Sequence, residues 1–506
     1  MRKWLPLTAV CLGAFMLLVD VTIVTVALPD MAADMHTGFS ALQWVMDIYA
    51  LALAALLLGA GSLADRIGRR RVYLGGLVVF AAASLACGLA TGPAALIAFR
   101  AVQGFGGAAM FATTMALLSA AYQGRDRGIA FGVWGAVNGA AAAAGPIIGG
   151  LLTEHFGWRW IFYINLPVCA VAVYVTLKAV TDTRDPNAKG LDLPGMAAFT
   201  AGAGAVTYGL IRAGENGWTS AATLGLLGLG VVAFAVFVLV ELRTPHPMLD
   251  LSLFRSGTFV GVMAAALLLS GAAFSYLMYV SLWLQSVEGM SPVGAGLVVV
   301  PMSLAAFLVS ALAGRLLHGA PARLTIGGGG ALIGVGALLQ AWMLDAGDGW
   351  RALVPGLLVT GAGVGVAIPA LAAAVMGAVA PARAGMAGGA LNTARQLGMA
   401  FGIAVLGSLF HSGLADGLAD SGRARDTAET LASGGAGRLL ATAPAAKAWV
   451  EAAFVDGLRE TFLAAGVMGL VGALAVALLI RSAGRSEVGA KPGDRPAEAV
   501  IAPERV

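Results

Sequence analysis

The sequence predicts an all-α integral membrane protein with fourteen membrane-spanning helices. Composition, the length of the apolar runs and the distribution of charge all support this fold class. Of the 506 residues, 59% are hydrophobic and only 11% are charged, and the mean hydropathy is +0.86. Soluble domains carry about a quarter charged residues. No soluble fold buries this much apolar surface, so most of the chain must face lipid.

Fourteen apolar runs are long enough to cross a bilayer, which takes about 20 residues. They lie near residues 5–28, 43–64, 72–91, 95–120, 128–152, 160–180, 194–212, 220–242, 257–283, 293–314, 323–344, 352–376, 385–410 and 459–481. An even number of spans places both termini on the same side of the membrane.

The distribution of charge indicates which side that is. Most lysines and arginines fall in the termini and in loops that fourteen spans place on the side of the termini, for example in the cluster at residues 66–71. The loops of the other side are acidic or uncharged, as at Asp30, Asp34 and Glu154. By the positive-inside rule, both termini of this multi-pass protein are cytoplasmic. We expect the membrane to be the cytoplasmic (inner) membrane.

A weak internal repeat predicts two related halves. Residues 61–76 and 313–328 both contain a small residue and two arginines before a glycine-bearing helix start. Repeated halves are the usual architecture of secondary transporters. The predicted domains are an N-terminal six-helix half (1–183), two inserted helices (184–248), a C-terminal six-helix half (249–482) with a long polar outer loop (411–458), and a disordered cytoplasmic tail (483–506).

Asp20 is the first candidate functional residue. It lies inside the first apolar run, with apolar residues on both sides. An ionisable group at membrane depth is costly and by default marks a functional site. Such a carboxyl group stays protonated or faces water. It can therefore bind and release a proton as its surroundings alternate.

The stretch VDVTIVTVALP, residues 19–29, resembles the first-helix signature of the fourteen-helix drug:proton antiporter family of the major facilitator superfamily. The resemblance covers nearly all of residues 1–482. It implies proton-coupled efflux of hydrophobic drugs or antibiotics by alternating access, with Asp20 as the proton-coupling carboxylate. Arg100 resembles the fourth-helix arginine of the family, which is thought to tune that carboxylate. Thr25 stands where the family usually has asparagine, so we expect an altered substrate fit.

Two further motifs resemble conformational-switch elements of the family. GSLADRIGRR, residues 61–70, resembles the loop between helices two and three, in which Asp65 pairs with arginines or with the positive N-terminus of a facing helix. By resemblance, that helix is the thirteenth. GPIIGG, residues 145–150, resembles the antiporter signature of the fifth helix, in which a proline bend and glycines allow tight packing against the other half. The switch candidates are Gly61, Asp65, Arg66, Gly68, Arg69, Arg70, Gly145, Pro146, Gly149 and Gly150.

Polar residues within the apolar runs are the candidates for the substrate cavity. Asp47 binds a cationic substrate or a second proton, as in relatives with this segment, or it is a solvated acid at the interface. NTARQLG, residues 392–398, resembles the thirteenth-helix segment of the family. The core helices of the second half carry no acid, which favours neutral, anionic or monocationic amphiphiles. The cavity candidates are Thr22, Thr25, Asp47, Gln103, Asn138, Asn165, Asn392, Arg395 and Gln396.

The expected partners are protons, a small hydrophobic substrate and the lipid bilayer, and we expect a monomer. Glycine runs such as GGGGALIGVG follow no strand, and the histidines are scattered, so we expect no nucleotide or other cofactor, no metal and no nucleic acid. Three alternatives stay open. The first is an exporter of an endogenous metabolite or self-made natural product. The second is an importer by symport, which GPIIGG disfavours. The third is a membrane-embedded enzyme, for which the sequence offers no catalytic cluster; we therefore expect no enzymatic activity.

Overall fold

The computed structural model describes residues 2–184, 190, 192–245, 247–316, 320–379, 383–420 and 427–480. Across these residues the chain is helical with short connections and contains no strand, which confirms the all-α prediction. The predicted tail, 483–506, lies outside the described residues. The α-helices are α1 (Leu5–Met35), α2 (Phe39–Ile67), α3 (Arg69–Gly88), α4 (Pro93–Ala121), α5 (Gly124–Phe156), α6 (Trp160–Tyr163), α7 (Asn165–Ala179), α8 (Leu193–Asn216), α9 (Ala221–Arg243), α10 (Gly257–Phe274), α11 (Leu277–Ser286), α12 (Pro292–Leu316), α13 (Ala322–Met343), α14 (Leu353–Gly377), α15 (Ala384–Asp420), α16 (Thr427–Thr430), α17 (Ala436–Thr442) and α18 (Lys447–Leu479).

Within the described residues, twelve stretches are long and apolar enough to cross a membrane, or thirteen if the bent α5 counts as one span. Two of them combine a pair of helices, α6 with α7 and α10 with α11. The predicted span 194–212 lies in α8, which has 24 residues but is not among these stretches. Glycine, alanine and threonine dilute the larger apolar side chains of α8. The described part of the chain thus contains twelve to thirteen candidate membrane spans.

We call the end of the bundle that carries the first residues of the chain the N-terminal face. Here the Tyr122 hydroxyl donates to the Lys3 carbonyl oxygen at 2.9 Å. The α2–α3 turn at Gly68 lies at this face too, since the Arg69 amide donates to the Thr183 carbonyl just beyond α7, also at 2.9 Å. The opposite face carries the ends of α1 and α5. There Arg159 pairs with Asp34 at 2.7 Å.

The helices form two groups with matching internal contacts. The first group is α1–α7, and the second is α10–α15 with α18. In the first, α3 packs on α4 so closely that a Cβ added at Gly76 would lie 2.8 Å from the Gly106 carbonyl oxygen. In the second, α13 packs on α14 in the same way, with 2.8 Å between a Cβ at Gly329 and the Gly363 carbonyl oxygen. Small residues allow such close approach of membrane helices, and the two groups share this kind of glycine contact.

The two groups meet mainly through α2 against α15 and α5 against α12. The α5–α12 contact is closest toward the opposite face, where a Cβ on Gly150 would lie 2.6 Å from the Val293 Cα. Toward the N-terminal face, glycines 132 and 135 of α5 have open space beside them. The pair α8–α9 packs outside the two groups, with α8 against α15 and α2. At the α5–α12 contact, the two groups are therefore closer together at the opposite face than at the N-terminal face.

The predicted outer loop, 411–458, is wrong in its extent. The helix α15 continues to Asp420 and α18 begins at Lys447, so the connection spans only 421–446. Both helices extend past their apolar runs because glycines let them pack together: a Cβ on Gly417 would lie 3.0 Å from the Ala453 Cα. Within the connection, α16 and α17 lie across the opposite face, where Gly434 faces Pro29 of α1.

Candidate functional site

Asp20 lies at the centre of a buried hydrogen-bonded cluster inside the first group of helices. Its side chain is fully buried. Asp20 Oδ2 pairs with Arg100 Nη1 at 2.5 Å. Oδ1 accepts from Gln103 Nε2 at 2.8 Å and from Asn165 Nδ2 at 3.0 Å. Three donors thus converge on one carboxylate, and an ionised acid is well stabilised by this arrangement.

Arg100 is as deeply buried as the acid that it pairs with, at 1% exposed. Its Nε donates to the Val45 carbonyl oxygen at 3.2 Å, and its Nη1 also donates to Gln103 Oε1 at 2.7 Å. The guanidinium carbon lies 4.3 Å from the centre of the Tyr49 ring, a cation–π distance. A guanidinium does not lose its proton in a protein. The cluster therefore holds an ion pair whose charges are both satisfied away from water.

Five helices supply this site, and their close packing depends on glycine. Asp20 comes from α1, Val45 and Tyr49 from α2, Arg100 and Gln103 from α4. A Cβ on Gly104 would lie 2.8 Å from the Tyr49 carbonyl oxygen, so α4 reaches the backbone of α2 only because residue 104 has no side chain. The other two helices are α3 and α7.

The cluster contains two residues that the sequence did not identify, Ser84 and Tyr49. Ser84 on α3 accepts from Gln103 Nε2 at 2.8 Å and from Asn165 Nδ2 at 3.3 Å. It orients both amides so that their remaining hydrogens point at Asp20. The available signal was a single serine in an apolar helix. Such a residue is common in membrane helices and does not by itself indicate a site.

Gln103 and Asn165, expected in the substrate cavity, are buried partners of Asp20 in this structure. Two other cavity candidates, Thr22 and Thr25, bond to the backbone of their own helix, Thr25 Oγ1 at 2.6 Å to the Thr22 carbonyl oxygen and Thr22 Oγ1 at 3.1 Å to that of Leu18. Hydroxyls satisfied in this way within a helix are less available to a ligand.

Asp47 is fully buried, and neither of its carboxyl oxygens has a hydrogen-bond partner within the described part of the chain. It lies more than two turns into α2, which begins at Phe39. The alternative of a solvated interfacial acid is therefore wrong, because α2 starts earlier than its apolar run. Gln43, one turn before, donates to the Tyr279 hydroxyl at 3.5 Å, and Tyr279 donates to the Ile403 carbonyl oxygen at 2.5 Å. Asp47 thus lies beside the α2–α15 contact.

The remaining cavity candidates do not form one cluster in this structure. Asn138 Oδ1 and Arg395 Nε are buried atoms without a hydrogen-bond partner among the described residues. Asn392 Nδ2 donates to the Gly388 carbonyl oxygen at 3.1 Å, within α15. Gln396 is half-buried on the same helix. Asn138 lies on α5 and the other three on α15, so they belong to different groups of helices.

In the α2–α3 loop, Asp65 pairs with Arg69 at 2.8 Å. An arginine was the first of the two partners predicted for Asp65. Among the described residues, no hydrogen bond or ion pair joins Asp65 to the N-terminus of the thirteenth helix, its other predicted partner. Arg70 Nη2 donates to the Leu177 carbonyl oxygen at 2.8 Å, while Arg66 is exposed. Gly68 has a φ of 118°, which L side chains rarely adopt. Gly61, the remaining candidate of this loop, has open space beside it.

In the 145–150 segment, the small residues face two different helices. Gly145 and Gly149 pack against α1, where Gly145 leaves room for the Thr22 side chain and a Cβ on Gly149 would lie 2.8 Å from the Ile23 carbonyl oxygen. Gly150 and Pro146 face α12, the helix of the other group. α5 bends by 41° between residues 141 and 144, next to the carbonyl that a proline at 146 leaves unbonded.

Within the described residues, no group of three or more His, Cys, Asp and Glu side chains is arranged to hold a metal ion. The three cysteines are buried and free. The described site thus presents one buried carboxylate that accepts from three side-chain donors.

Comparison with known proteins identifies the family. The model of the Major Facilitator Superfamily matches residues 10–403. A multidrug resistance protein, Stp, of Mycobacterium tuberculosis is 37% identical over 406 residues, which cover 80% of this chain and 75% of that protein. A tetracenomycin C resistance and export protein of Streptomyces glaucescens is 36% identical over 511 residues, with 95% and 92% covered. A puromycin resistance protein of Streptomyces alboniger is 35% identical over 430 residues, with 83% and 84% covered.

Solved structures show the same fold at low sequence identity. A bacterial homologue of the human lysosomal transporter Spinster, in an inward-facing and unoccupied conformation, superposes with a TM-score of 0.63 at 18% identity, covering 94% of this chain and 97% of that one. An auto-inhibited peptide transporter of the POT family gives a TM-score of 0.66 at 14% identity, covering 98% and 99%. Together with the family match, these likenesses settle the classification: the chain belongs to the Major Facilitator Superfamily, and its similar proteins include multidrug and antibiotic resistance proteins.

Proposed function

We propose that this protein exports hydrophobic drugs or antibiotics across the cytoplasmic membrane in exchange for protons. The observation that carries the proposal is the buried cluster in which Arg100, Gln103 and Asn165 all donate to Asp20. The names of the similar proteins, among them multidrug resistance and antibiotic export proteins, supply the substrate class. No enzymatic activity is part of the proposal.

Asp20 is the proposed proton-coupling residue, and Arg100 its electrostatic partner. In the conformation described above, all three donors favour the ionised carboxylate. A proton reaches Asp20 only if the contact with Arg100 opens, and the arginine must then find other acceptors, such as the Val45 carbonyl oxygen that it already contacts. Since the cluster joins α1, α2, α3, α4 and α7, a change of protonation would alter the packing of the first group.

The proton gradient is large enough to drive such a cycle. One pH unit corresponds to about 1.4 kcal/mol per proton. A membrane potential of about 100 mV adds about 2.3 kcal/mol per charge moved across the membrane. A typical gradient thus supplies several kcal/mol per proton, which is enough to concentrate a substrate outside the cell.

We further propose fourteen spans, with both termini in the cytoplasm. The additional span is α8, which is not apolar enough to be counted from its composition. The N-terminal face is then the cytoplasmic one. The less tightly closed α5–α12 contact toward this face supports loading of substrate from the cytoplasm or the inner leaflet. On the other face, Glu429 of α16 accepts from the Phe39 amide at 2.9 Å, which supports closure there.

The switch elements keep their proposed role in alternating access. In the cytoplasmic loop, Asp65 would exchange Arg69 for the N-terminus of α15 as the cytoplasmic side closes. Gly150 and Pro146, which face α12, would carry the seal on the outer side. The proposed domain division into two six-helix halves with two inserted helices rests on the matching glycine contacts of α3–α4 and α13–α14.

The substrate cavity is proposed to lie between the two groups, with Asp47, Asn138, Asn392, Arg395 and Gln396 as its polar residues. These groups suit a neutral, anionic or monocationic amphiphile. A narrower exporter, of one antibiotic or natural product, is the second candidate. It is favoured by those similar proteins that are named for a single compound, tetracenomycin C or puromycin. We expect a monomer to be sufficient for transport.

The decisive experiment compares the wild type with Asp20→Asn in liposomes across which a pH gradient is imposed. Transport of a fluorescent dye and of a panel of antibiotics is followed while substrate binding is measured separately. We expect gradient-driven transport to be lost in Asp20→Asn and substrate binding to persist. Asp34→Asn is a matched control, because Asp34 lies on the same helix in an exposed pair with Arg159. It should transport like the wild type.

Each other outcome has a definite meaning. Transport that survives in Asp20→Asn would move the coupling site elsewhere, with Asp47 as the next residue to test. Wild-type transport that ignores the pH gradient would exclude proton coupling. Transport of one antibiotic from the panel but not of the others would favour the narrow exporter.

A further inference from the structure

Asp192 and Glu241 form a second pair of buried acids, separate from Asp20, at the N-terminal face. Asp192 directly precedes α8, and Glu241 lies in the last turn of α9. Each is only 4% exposed. One oxygen of each is bonded to the backbone: Asp192 Oδ1 accepts from the Gly195 amide at 2.8 Å, and Glu241 Oε2 accepts from the Leu249 amide at 3.2 Å.

The other two oxygens, Asp192 Oδ2 and Glu241 Oε1, both lie beside Gly195. Neither has a hydrogen-bond donor within the described part of the chain. Both oxygens flank the same small space, since a Cβ on Gly195 would lie 2.9 Å from Glu241 Oε1 and would collide with Asp192 Oδ2. Ionised carboxylates only accept hydrogen bonds, so this contact becomes a bond only when one of the two groups carries a proton.

No cation among the described residues neutralises the pair. No ion pair within the described part of the chain includes Asp192 or Glu241. The other charged groups on the surrounding elements are paired with one another or exposed: Asp250 with Arg383, Asp65 with Arg69, and Arg66, Arg243 and Arg255 on the surface. Asp185, Lys189 and His246 lie outside the described residues. Two buried carboxyl groups in contact without a cation cannot both be ionised at low cost, so such a pair retains one proton.

We propose that Asp192 and Glu241 bind one proton between them. This shared proton holds the inserted pair α8–α9 against the loop that leads into the second group of helices. We call the two acids with their shared proton the clasp. The ligand of this site is the proton itself. The proposal does not depend on transport or on Asp20.

The position of the pair explains what the clasp would hold. Glu241 anchors the amide of Leu249, and the next residue, Asp250, pairs with Arg383 beside the start of α15 at 2.9 Å. On the other side, Met196 in the first turn of α8 packs against Gly59 of α2. The clasp thus lies between α2 and α15, the two helices that join the groups of helices at this face.

Loss of the shared proton would leave two negative charges in contact. The α8 start and the α9 end would then separate, and the loop that Glu241 holds would be released from the bundle. On the cytoplasmic side proposed above, the pair would respond to the pH of the cytoplasm.

The test uses the purified full-length protein in detergent. Infrared difference spectra recorded across a pH series detect the C=O stretch of protonated carboxyl groups, and thermal unfolding is recorded over the same series. In the wild type we expect a carboxyl band that disappears as the pH rises, with a melting temperature that falls over the same range. The melting temperature of Glu241→Gln should not fall in that range, because glutamine supplies the hydrogen bond permanently, and the titrating band should be absent. Asp192→Asn should behave in the same way.

Glu154→Gln is the matched control, since Glu154 is exposed and accepts from the Val293 amide at the opposite face. It should keep the wild-type band and the wild-type fall in melting temperature. A titrating band of wild-type size in both Glu241→Gln and Asp192→Asn would overturn the proposal, because other protonated acids, such as Asp47, contribute equally to the wild type and to both variants. If the variants fail to fold, the wild type alone tests the proposal. A melting temperature that is independent of pH, together with no titrating band, would exclude a shared proton.

A bound metal ion is distinguished by adding sodium or calcium chloride at the high end of the pH series. A proton site predicts no selective protection by either salt. If one of them restores the melting temperature of the wild type but not that of Glu241→Gln, the pair binds a cation and the shared-proton proposal is wrong.

Discussion

Asp20 and Asp47 are the same residue type, both completely buried and both in the first group of helices, but their surroundings differ in kind. Three side chains donate to Asp20, and one of them is a guanidinium. Asp47 has no hydrogen-bond partner among the described residues. Burial disfavours an ionised carboxyl group, whereas nearby cations and hydrogen-bond donors favour it. The structure therefore suits a charge at Asp20 and a neutral acid at Asp47.

This contrast separates two meanings of a buried acid in a membrane protein. In the function proposed above, Asp20 would receive a proton, and the three donors around it suit the anion that this role requires. Asp47 would release a proton, or exchange it for the positive charge of a substrate. Burial alone does not distinguish these roles, but the donors around each carboxylate do.

The largest effect is expected when only one partner of the Asp20–Arg100 ion pair is removed. In Arg100→Gln the carboxylate stays buried without its cation, and we expect a loss of about 3–5 kcal/mol in the free energy of unfolding. The double variant Asp20→Asn/Arg100→Gln removes both charges and should recover a large part of that loss. Unfolding of the purified protein in detergent measures both.

The control for this cycle is Arg159→Gln. Its pair with Asp34 is similarly short, at 2.7 Å, but 38% and 46% of the two side chains are exposed. Exposed pairs contribute about 1 kcal/mol or less, so this variant should unfold nearly like the wild type. An additive double variant, with no recovery from Arg100→Gln, would show that Asp20 and Arg100 are not coupled.

A smaller effect is expected at Asp47. If Asp47 is a neutral acid, Asp47→Asn replaces one neutral group with another of similar shape and should change the free energy of unfolding by less than about 1 kcal/mol. Asp20→Asn should cost several times more, since it leaves Arg100 buried and unpaired. The same unfolding measurement on the two variants decides the matter. Equal losses would mean that Asp47 carries a charge in the folded protein.

The sequence predicts the acid and its arginine better than it predicts their surroundings. Asp20 and Arg100 are recognisable because charged residues are rare in apolar runs and expensive there. Gln103 lies three residues after Arg100, a spacing that places both on one face of a helix, yet the sequence assigned it to the cavity. Which neighbour that face meets depends on packing between α1, α3 and α4, and spacing along one helix does not contain that information.

Element boundaries show a similar limit. Helix α15 runs on to Asp420 although its apolar run ends near residue 410, because glycines of α15 pack against α18. Packing of one helix on another thus compensates for polar residues that would otherwise end it. The opposite happens for α8. A 24-residue helix forms, but its many glycines and alanines make it less apolar than the counted membrane spans.

The smallest effect is expected for a carboxylate that has partners but remains near solvent, Asp250. Hydrogen bonds from the hydroxyl and the backbone amide of Ser252 hold the pKa of Asp250 below its ordinary value, burial opposes them weakly, and Arg383 lowers the pKa further. A lowered pKa in the folded state stabilises the protein above the ordinary pKa of 3.8, and this stabilisation is lost as the pH falls through the folded-state pKa. Asp250→Asn should therefore lower the melting temperature slightly at neutral pH, and the difference from the wild type should vanish as the pH falls below that range. A difference that grows on acidification would mean that the carboxyl group is held in its protonated form, so Asp250 would resemble Asp47 and not Asp20.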